Sequence, residues 1–195
     1  HGLPIANIDK GAIVVTMMNE IGYSYMTTGN HDYNYGMDRL LELGKEAKFK
    51  ILAANVYKDG KRVFTPYVIQ EVQGVRVAFF GLASPETAYK ADPKLVAGVT
   101  FADPIVEGRA IANELAGQYD VLVLISHIGT DASSDPTSFK VAQAIPELDV
   151  IIDGHSHTSL ETLTKENKTS VLIASTGSYG AGLGVVDLVV GTNRT

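Results

Sequence analysis

Residues 120–126, Asp-Val-Leu-Val-Leu-Ile-Ser, are a continuous apolar run of the kind shown by strands buried on both faces. Residues 149–153 form a second such run and residues 171–175 a third. Shorter apolar stretches at residues 23–28 and 50–54 read as strands, and residues 182–190 read as a last strand. Between them the period changes. Residues 37–47 carry apolar positions at helical spacing. A helix through residues 17–21 can be opened by Asp9 or Gly11 and stopped by Gly22. Gln73-Gly74 joins residues 65–72 to 75–80 as a hairpin turn, and Asp103-Pro104 is an N-cap with a first-turn proline for a helix running to about Gly117. Strands and helices alternate, with a hairpin inserted and antiparallel strands at the end. The pattern predicts one α/β layered domain with a mixed sheet or a pair of sheets. No repeat or internal boundary interrupts it, only a polar loop at residues 164–169.

Composition narrows the function without naming it. A chain of 195 residues can bury one sizeable core. The formal net charge of −6 argues against a surface that grips a nucleic acid polymer through its phosphates, though it leaves room for a small phosphorylated substrate. Without cysteine, neither disulfides nor thiolate metal sites can form. The chain contains no apolar stretch of the ~18 residues a membrane-spanning helix needs. Two Asn-x-Thr sequons, at Asn167 and Asn193, are too common to locate the protein. His1 reads as an interior start, so the lack of a leader carries no weight.

The histidines carry the first chemical signal. Of five, His31, His127, His155 and His157 each follow the end of a predicted strand. In an open α/β sheet such edges converge on one crevice. In His155-Ser156-His157 an extended backbone would aim both imidazoles to one side, with Gly154 allowing a tight turn before them. Asn30 and His127 would add an amide oxygen and a third imidazole from neighbouring strands. A set of nitrogen and oxygen donors without sulfur suits manganese, zinc, iron or cobalt. Each segment alone has a plainer reading: a lone histidine is most often just a polar residue, and Gly-Asn-His-Asp is also good turn chemistry. Their shared placement at strand ends is what points to a metal site.

Three segments, Gly29-Asn30-His31-Asp32, Ser126-His127-Ile128-Gly129 and Gly154-His155-Ser156-His157, resemble the metallophosphoesterase (calcineurin-like) signature in its bacterial 5′-nucleotidase and UDP-sugar hydrolase branch. Ala54-Asn55-Val56, Phe64-Thr65-Pro66-Tyr67, Pro85-Glu86-Thr87-Ala88-Tyr89-Lys90 and residues 99–104 are similar to the same branch, in the same order. The resemblance implies a four-layer α/β/β/α sandwich and two divalent metal ions that clamp a phosphate and activate a water. By position it implies Asn30, His127 and His155 on one metal and His157 on the other. His31 is implied as a non-ligand that contacts the phosphate and stabilises or protonates the leaving oxygen.

Two departures from the family pattern shape the expectation. The Asp-x-His strand end and the Gly-Asp that open the family are not found before residues 2–7, so the fold is expected to be incomplete at its N-terminus. The chain would then hold at most one ion, weakly. Residues 1–191 are read as the catalytic domain, and residues 192–195 as the start of a linker to a nucleoside-binding domain that this chain does not contain. Second, Asn34 stands where many relatives carry an aspartate three residues after the catalytic histidine. An amide can accept a hydrogen bond from His31 but brings no charge, so His31 is expected to be a weaker base. The resemblance implies hydrolysis of nucleoside 5′-phosphates or nucleotide sugars outside the cytoplasm: extracellular, at the cell surface or periplasmic. A 2′,3′-cyclic-nucleotide phosphodiesterase with 3′-nucleotidase activity, or a non-catalytic domain retaining the fold, are the alternatives.

Overall fold

The computed structural model describes residues 4–166 and 169–191. Asn167, Asn193 and the expected linker lie outside them. A 3-10 turn, Pro4–Asn7, leads to α1 (Ala12–Ile21) and a short β1 (Tyr25–Met26). A second 3-10 turn, Asn30–Tyr33, precedes α2 (Met37–Glu46) and β2 (Lys50–Ile51). Then come β3 (Val56–Lys58), β4 (Lys61–Arg62), β5 (Tyr67–Val72), β6 (Val75–Ala83), α3 (Thr87–Lys90), β7 (Val99–Phe101) and α4 (Pro104–Glu114). The chain continues through β8 (Val121–His127), α5 (Ser138–Ala144), β9 (Val150–Ile152), β10 (Ser159–Glu166) and β11 (Thr169–Thr176).

Local chemistry explains most of these boundaries. Asp9 Oδ2 accepts from the Ile13 backbone N–H at 2.7 Å as α1 begins, and Gly22, at φ 88°, ends the helix by donating its N–H to Met18 O. Gln73 and Gly74 both take positive φ, 53° and 83°, as a tight turn between β5 and β6 requires. Asp103 Oδ1 accepts from the backbone N–H groups of Ile105 and Val106 at 2.7 and 3.2 Å, with Pro104 as the first residue of α4.

The main sheet has six strands in the order β10-β11-β9-β8-β6-β5. Its four central strands run parallel, with antiparallel β10 and β5 at its edges. One face, including Phe80, Leu82, Leu122, Leu124, Ile151 and Ile173, packs against Ile111 of α4, Leu115 just after it and Val141 of α5. Burying such side chains, at about 1.5–3 kcal/mol each, is what drives the layers together. The other face carries Val121, Val123 and Val150. There Tyr25 of β1 lies against Phe79, ring centroids 4.9 Å apart. The parallel pair β1–β2 forms a small second sheet, covered by α1 and α2 through Val15, Leu43 and Phe49. The succession is helices, sheet, sheet, helices, the α/β/β/α arrangement expected. A three-stranded sheet, β4-β3-β7, stands apart from both.

Three strand expectations are corrected. Residues 23–28 and 50–54 form a ladder only over Tyr25–Met26 and Lys50–Ile51. Beyond it Leu52 makes a single bridge to Thr65, and the Ala53 and Ala54 N–H groups turn to Thr65 O and Gly81 O. Residues 182–190 form no strand: both sides of β11 are already paired, so this stretch finds no ladder there. Leu183 and Val189 are 93% and 99% exposed, while Val186 leans on the main sheet. α4 stops at Glu114, short of the expected Gly117.

Candidate metal centre

The Gly-Asn-His-Asp segment is a turn closed by its own carboxylate. Asp32 Oδ2 accepts from the Gly29 N–H at 2.7 Å, and the fully buried Tyr33 donates its hydroxyl to Thr28 Oγ1 at 3.0 Å. Burial pushes the Tyr33 hydroxyl pKa well up, so it stays a donor. Anchored this way, the turn buries Asn30 and leaves His31 exposed beside it.

On the main sheet a second carboxylate does similar work across two loops. Asp153, 8% exposed, follows β9. Its Oδ1 accepts from Ser126 Oγ at 2.7 Å and from the Ile128 N–H at 3.1 Å. Its Oδ2 accepts from the Gly129 N–H at 3.1 Å and Ser138 Oγ at 2.6 Å. Those partners flank His127 on both sides, so one buried anion fixes the end of β8 against the segment that bears His155. Hydrogen bonds to an ionised group contribute about 1.5–3 kcal/mol each, and here they also offset burial of the charge.

Asn30, His127 and His155 come together. Asn30 Oδ1 lies 3.1 Å from His127 Nε2, and the His127 and His155 ring centroids are 5.0 Å apart. Glycines make the space: a Cβ on Gly29 would strike the His127 ring at 2.7 Å, one on Gly154 would reach His127 Nδ1 at 3.2 Å, and one on Gly129 would reach His155 Cδ2 at 3.2 Å. Gly154 therefore supplies clearance; its φ is not positive, and the tight turn expected of it is made by its neighbours. Burial is the main cause that lowers the His127 pKa, to about 4, which keeps the ring neutral, with one nitrogen lone pair free, at neutral pH.

This donor set fits a divalent cation. Asn30 Oδ1 accepts from His127 Nε2–H at 3.1 Å. An ion replacing that proton would find the spacing suitable, since two ligands of one metal at bonds of ~2.0–2.1 Å sit ~2.9–3.4 Å apart. It is a sparse set, one amide oxygen and two imidazoles. Among the described residues no cluster of three or more histidine, cysteine or acidic side chains is placed to hold an ion.

His157 departs from expectation. His155 and His157 both adopt left-handed backbone, φ 82° and 56°, so the segment is not extended and does not project its rings to one side. His157 is exposed and packs its ring on Tyr179, centroids 5.3 Å apart. His155 turns inward, where Nε2 meets Glu86 Oε2 at 2.8 Å and Lys90 Nζ at 3.0 Å. Burial opposes ionisation of Glu86, but hydrogen bonds from Lys90, His155 and Tyr89 outweigh it and hold the carboxyl below the usual carboxylate range.

His31 does pair with Asn34, with the polarity reversed. The Asn34 amide nitrogen faces His31 Nδ1 at 3.2 Å and can only donate, so in the neutral ring Nε2 carries the proton.

Comparison with known proteins points the same way. A 5′-nucleotidase of Vibrio cholerae is 31% identical to this chain over 166 residues, 80% of the chain and 30% of that protein. The crystal structure of a 5′-nucleotidase precursor from Thermus thermophilus superposes with a TM-score of 0.75 at 29% identity, over 87% of this chain and 36% of that one. The calcineurin-like phosphoesterase YfkN of Bacillus subtilis gives 0.71 at 26% identity, over 88% and 62%. The chain is similar to one part of the 5′-nucleotidase phosphoesterases. It spans about a third of the length of the 5′-nucleotidases it matches. No protein-family model matches it.

Glu86, Lys90 and Asp153 were not foreseen as parts of the site. Glu86 and Lys90 lie in a family-like segment of the sequence, but nothing in the spelling says that Glu86 reaches a histidine 69 residues away. Asp153 ends an apolar run and reads there as an ordinary strand boundary.

Proposed function

We propose that the chain supplies the metal-binding part of a phosphate-ester hydrolase that acts on nucleotides or nucleotide sugars. The observation that carries this reading is the 3.1 Å approach of Asn30 Oδ1 to His127 Nε2, with the His155 ring beside it. Asn30, His127 and His155 would hold one divalent ion, manganese, zinc, iron or cobalt; His157 would serve a second ion in the whole enzyme. A divalent ion so placed polarises a phosphoryl oxygen and lowers the pKa of a water.

The chain's own residues do the rest. Asp32 and Asp153 hold the two loops in register, so that ligands from different sheets meet. His31, exposed next to Asn30, presents Nε2–H toward solvent-borne substrate, and Asn34 fixes that tautomer by donating to Nδ1. His31 then stabilises or protonates the leaving oxygen. The family resemblance supports location outside the cytoplasm, and among the described residues no helix is long and apolar enough to cross a membrane.

Phosphate release from AMP, UDP-glucose and 2′,3′-cyclic AMP by the gene's complete product, with manganese, zinc or cobalt added, tests the reading. Turnover of AMP or UDP-glucose that is lost in His31→Ala is expected. Turnover of the cyclic substrate alone selects the phosphodiesterase. No metal-dependent turnover of any of the three leaves a non-catalytic domain.

A further inference from the structure

A second organised polar group outside the ligand trio lies behind His155. Glu86 follows β6, and its residue is 4% exposed. Its Oε2 accepts from Lys90 Nζ at 2.7 Å and lies 2.8 Å from His155 Nε2, with the Glu86 and His155 side chains 6% and 8% exposed. Lys90 Nζ is itself 3.0 Å from the same imidazole nitrogen. These three contacts cannot all be hydrogen bonds at once. If Nε2 accepted from Lys90, its lone pair would face a carboxylate oxygen at 2.8 Å with no proton between them, in a place water scarcely reaches. If Nε2 bears the proton, His155 and Lys90 both donate to Oε2, and their mutual approach is merely that of two donors sharing one acceptor. The second arrangement satisfies every group.

We propose that Glu86 is a positioning residue that holds His155 in the Nε2–H tautomer, leaving the lone pair on Nδ1 as the one this histidine offers to a divalent cation. The proposal rests on the metal reading of the site and assigns to it a partner for a ligand. Carboxylates commonly take the other N–H of a metal-bound histidine and fix its tautomer and ring orientation. The bond has a further task here. His155 sits at φ 82°, a backbone conformation that side chains other than glycine's adopt at a cost, so contacts to the ring must hold it there. Lys90 keeps Glu86 neutralised, so the pair sets where the proton sits without adding net charge behind the ligand.

Removing the carboxylate has a specific consequence. In Glu86→Ala the Lys90 ammonium remains near Nε2 and becomes a donor to it, which drives the ring proton to Nδ1. Long-range proton–nitrogen NMR of the metal-free chain reads this directly. Expected are Nε2–H for His155 in the wild type, reversal to Nδ1–H in Glu86→Ala, and return to Nε2–H in Glu86→Gln, whose amide oxygen still accepts. Adding Lys90→Met to Glu86→Ala abolishes the reversal. In cobalt titrations followed by visible absorption, Glu86→Ala binds about 10–100-fold more weakly than wild type, while Glu86→Gln stays within a few-fold. A role in folding alone would lower the melting temperature of Glu86→Ala and leave the tautomer where it was; that result overturns the proposal, as does Nδ1–H in the wild type. If the tautomers behave as stated but His155→Ala binds cobalt as well as wild type, the metal reading fails and the ligand half of the proposal goes with it.

Discussion

Two sheet edges meet at the candidate site, and they are built very differently. The rim of the six-stranded sheet delivers His127 from the end of a seven-residue strand buried along most of its length, and Asp153 ties it to the His155 segment. The rim of the β1–β2 sheet delivers Asn30 and His31 from strands of two residues each, held by one carboxylate, Asp32. A cavity of about 260 Å³ lies on that weaker side, lined by Val15, Met18, Met26, Leu43 and Phe49 and reaching Gly29 and His127. The contrast teaches where the site draws its rigidity: His127 and His155 are fixed by the main sheet, whereas the position of Asn30 depends on one turn.

Substitutions on the two rims should differ accordingly. Asp153→Ala strands two hydroxyls and the N–H groups of Ile128 and Gly129 in a buried place, and is expected to cost roughly 3–4 kcal/mol, read by urea unfolding. Next in size is a pH effect on the same rim. Burial lowers the folded His127 pKa from the usual 6.5 to about 4. Between those values the unfolded chain takes up a proton that the folded chain refuses, so stability present at neutral pH drains as pH falls from 6.5 toward 4. A shift of this size corresponds to on the order of 3 kcal/mol, and urea midpoints measured across the window should flatten in His127→Gln.

The weaker rim should show smaller effects. Asp32→Ala removes one turn-closing bond and is expected to cost about 1–2 kcal/mol, while weakening cobalt binding through displacement of Asn30. Asn34→Asp, at an exposed position, should move stability by no more than about 0.5 kcal/mol. Its effect belongs in the pH–rate profile of the complete enzyme, where a charged partner raises the basicity of His31. A profile identical to wild type would break the assignment of His31.

The sequence made some of this legible because certain features are local. Gln73-Gly74 and Asp103-Pro104 encode a turn and a helix start in adjacent residues, and the structure has both. The apolar runs at 120–126 and 149–153 announce buried strands, and His127 and His155, which follow them, meet Asn30, which follows the stretch at 23–28. What stayed hidden is non-local or conformational. Residues 182–190 look like a strand by composition, yet a strand also needs a free ladder, and no spelling records whether a neighbour is already paired. His155 and His157 look alike in sequence, but their left-handed backbone sends one inward to Glu86 and the other out to Tyr179. The Asp153 bonds to Ser126, Ile128 and Gly129 likewise cross from one strand end to the next.

Cobalt titration of the chain, with Asn30→Ala, His127→Ala and His155→Ala beside the wild type, tests the central claim most directly. The account predicts one weakly held ion whose absorption bands are lost or greatly weakened in each of the three variants. Binding that all three variants retain at wild-type strength, or two tightly held ions in the wild-type chain, would contradict it.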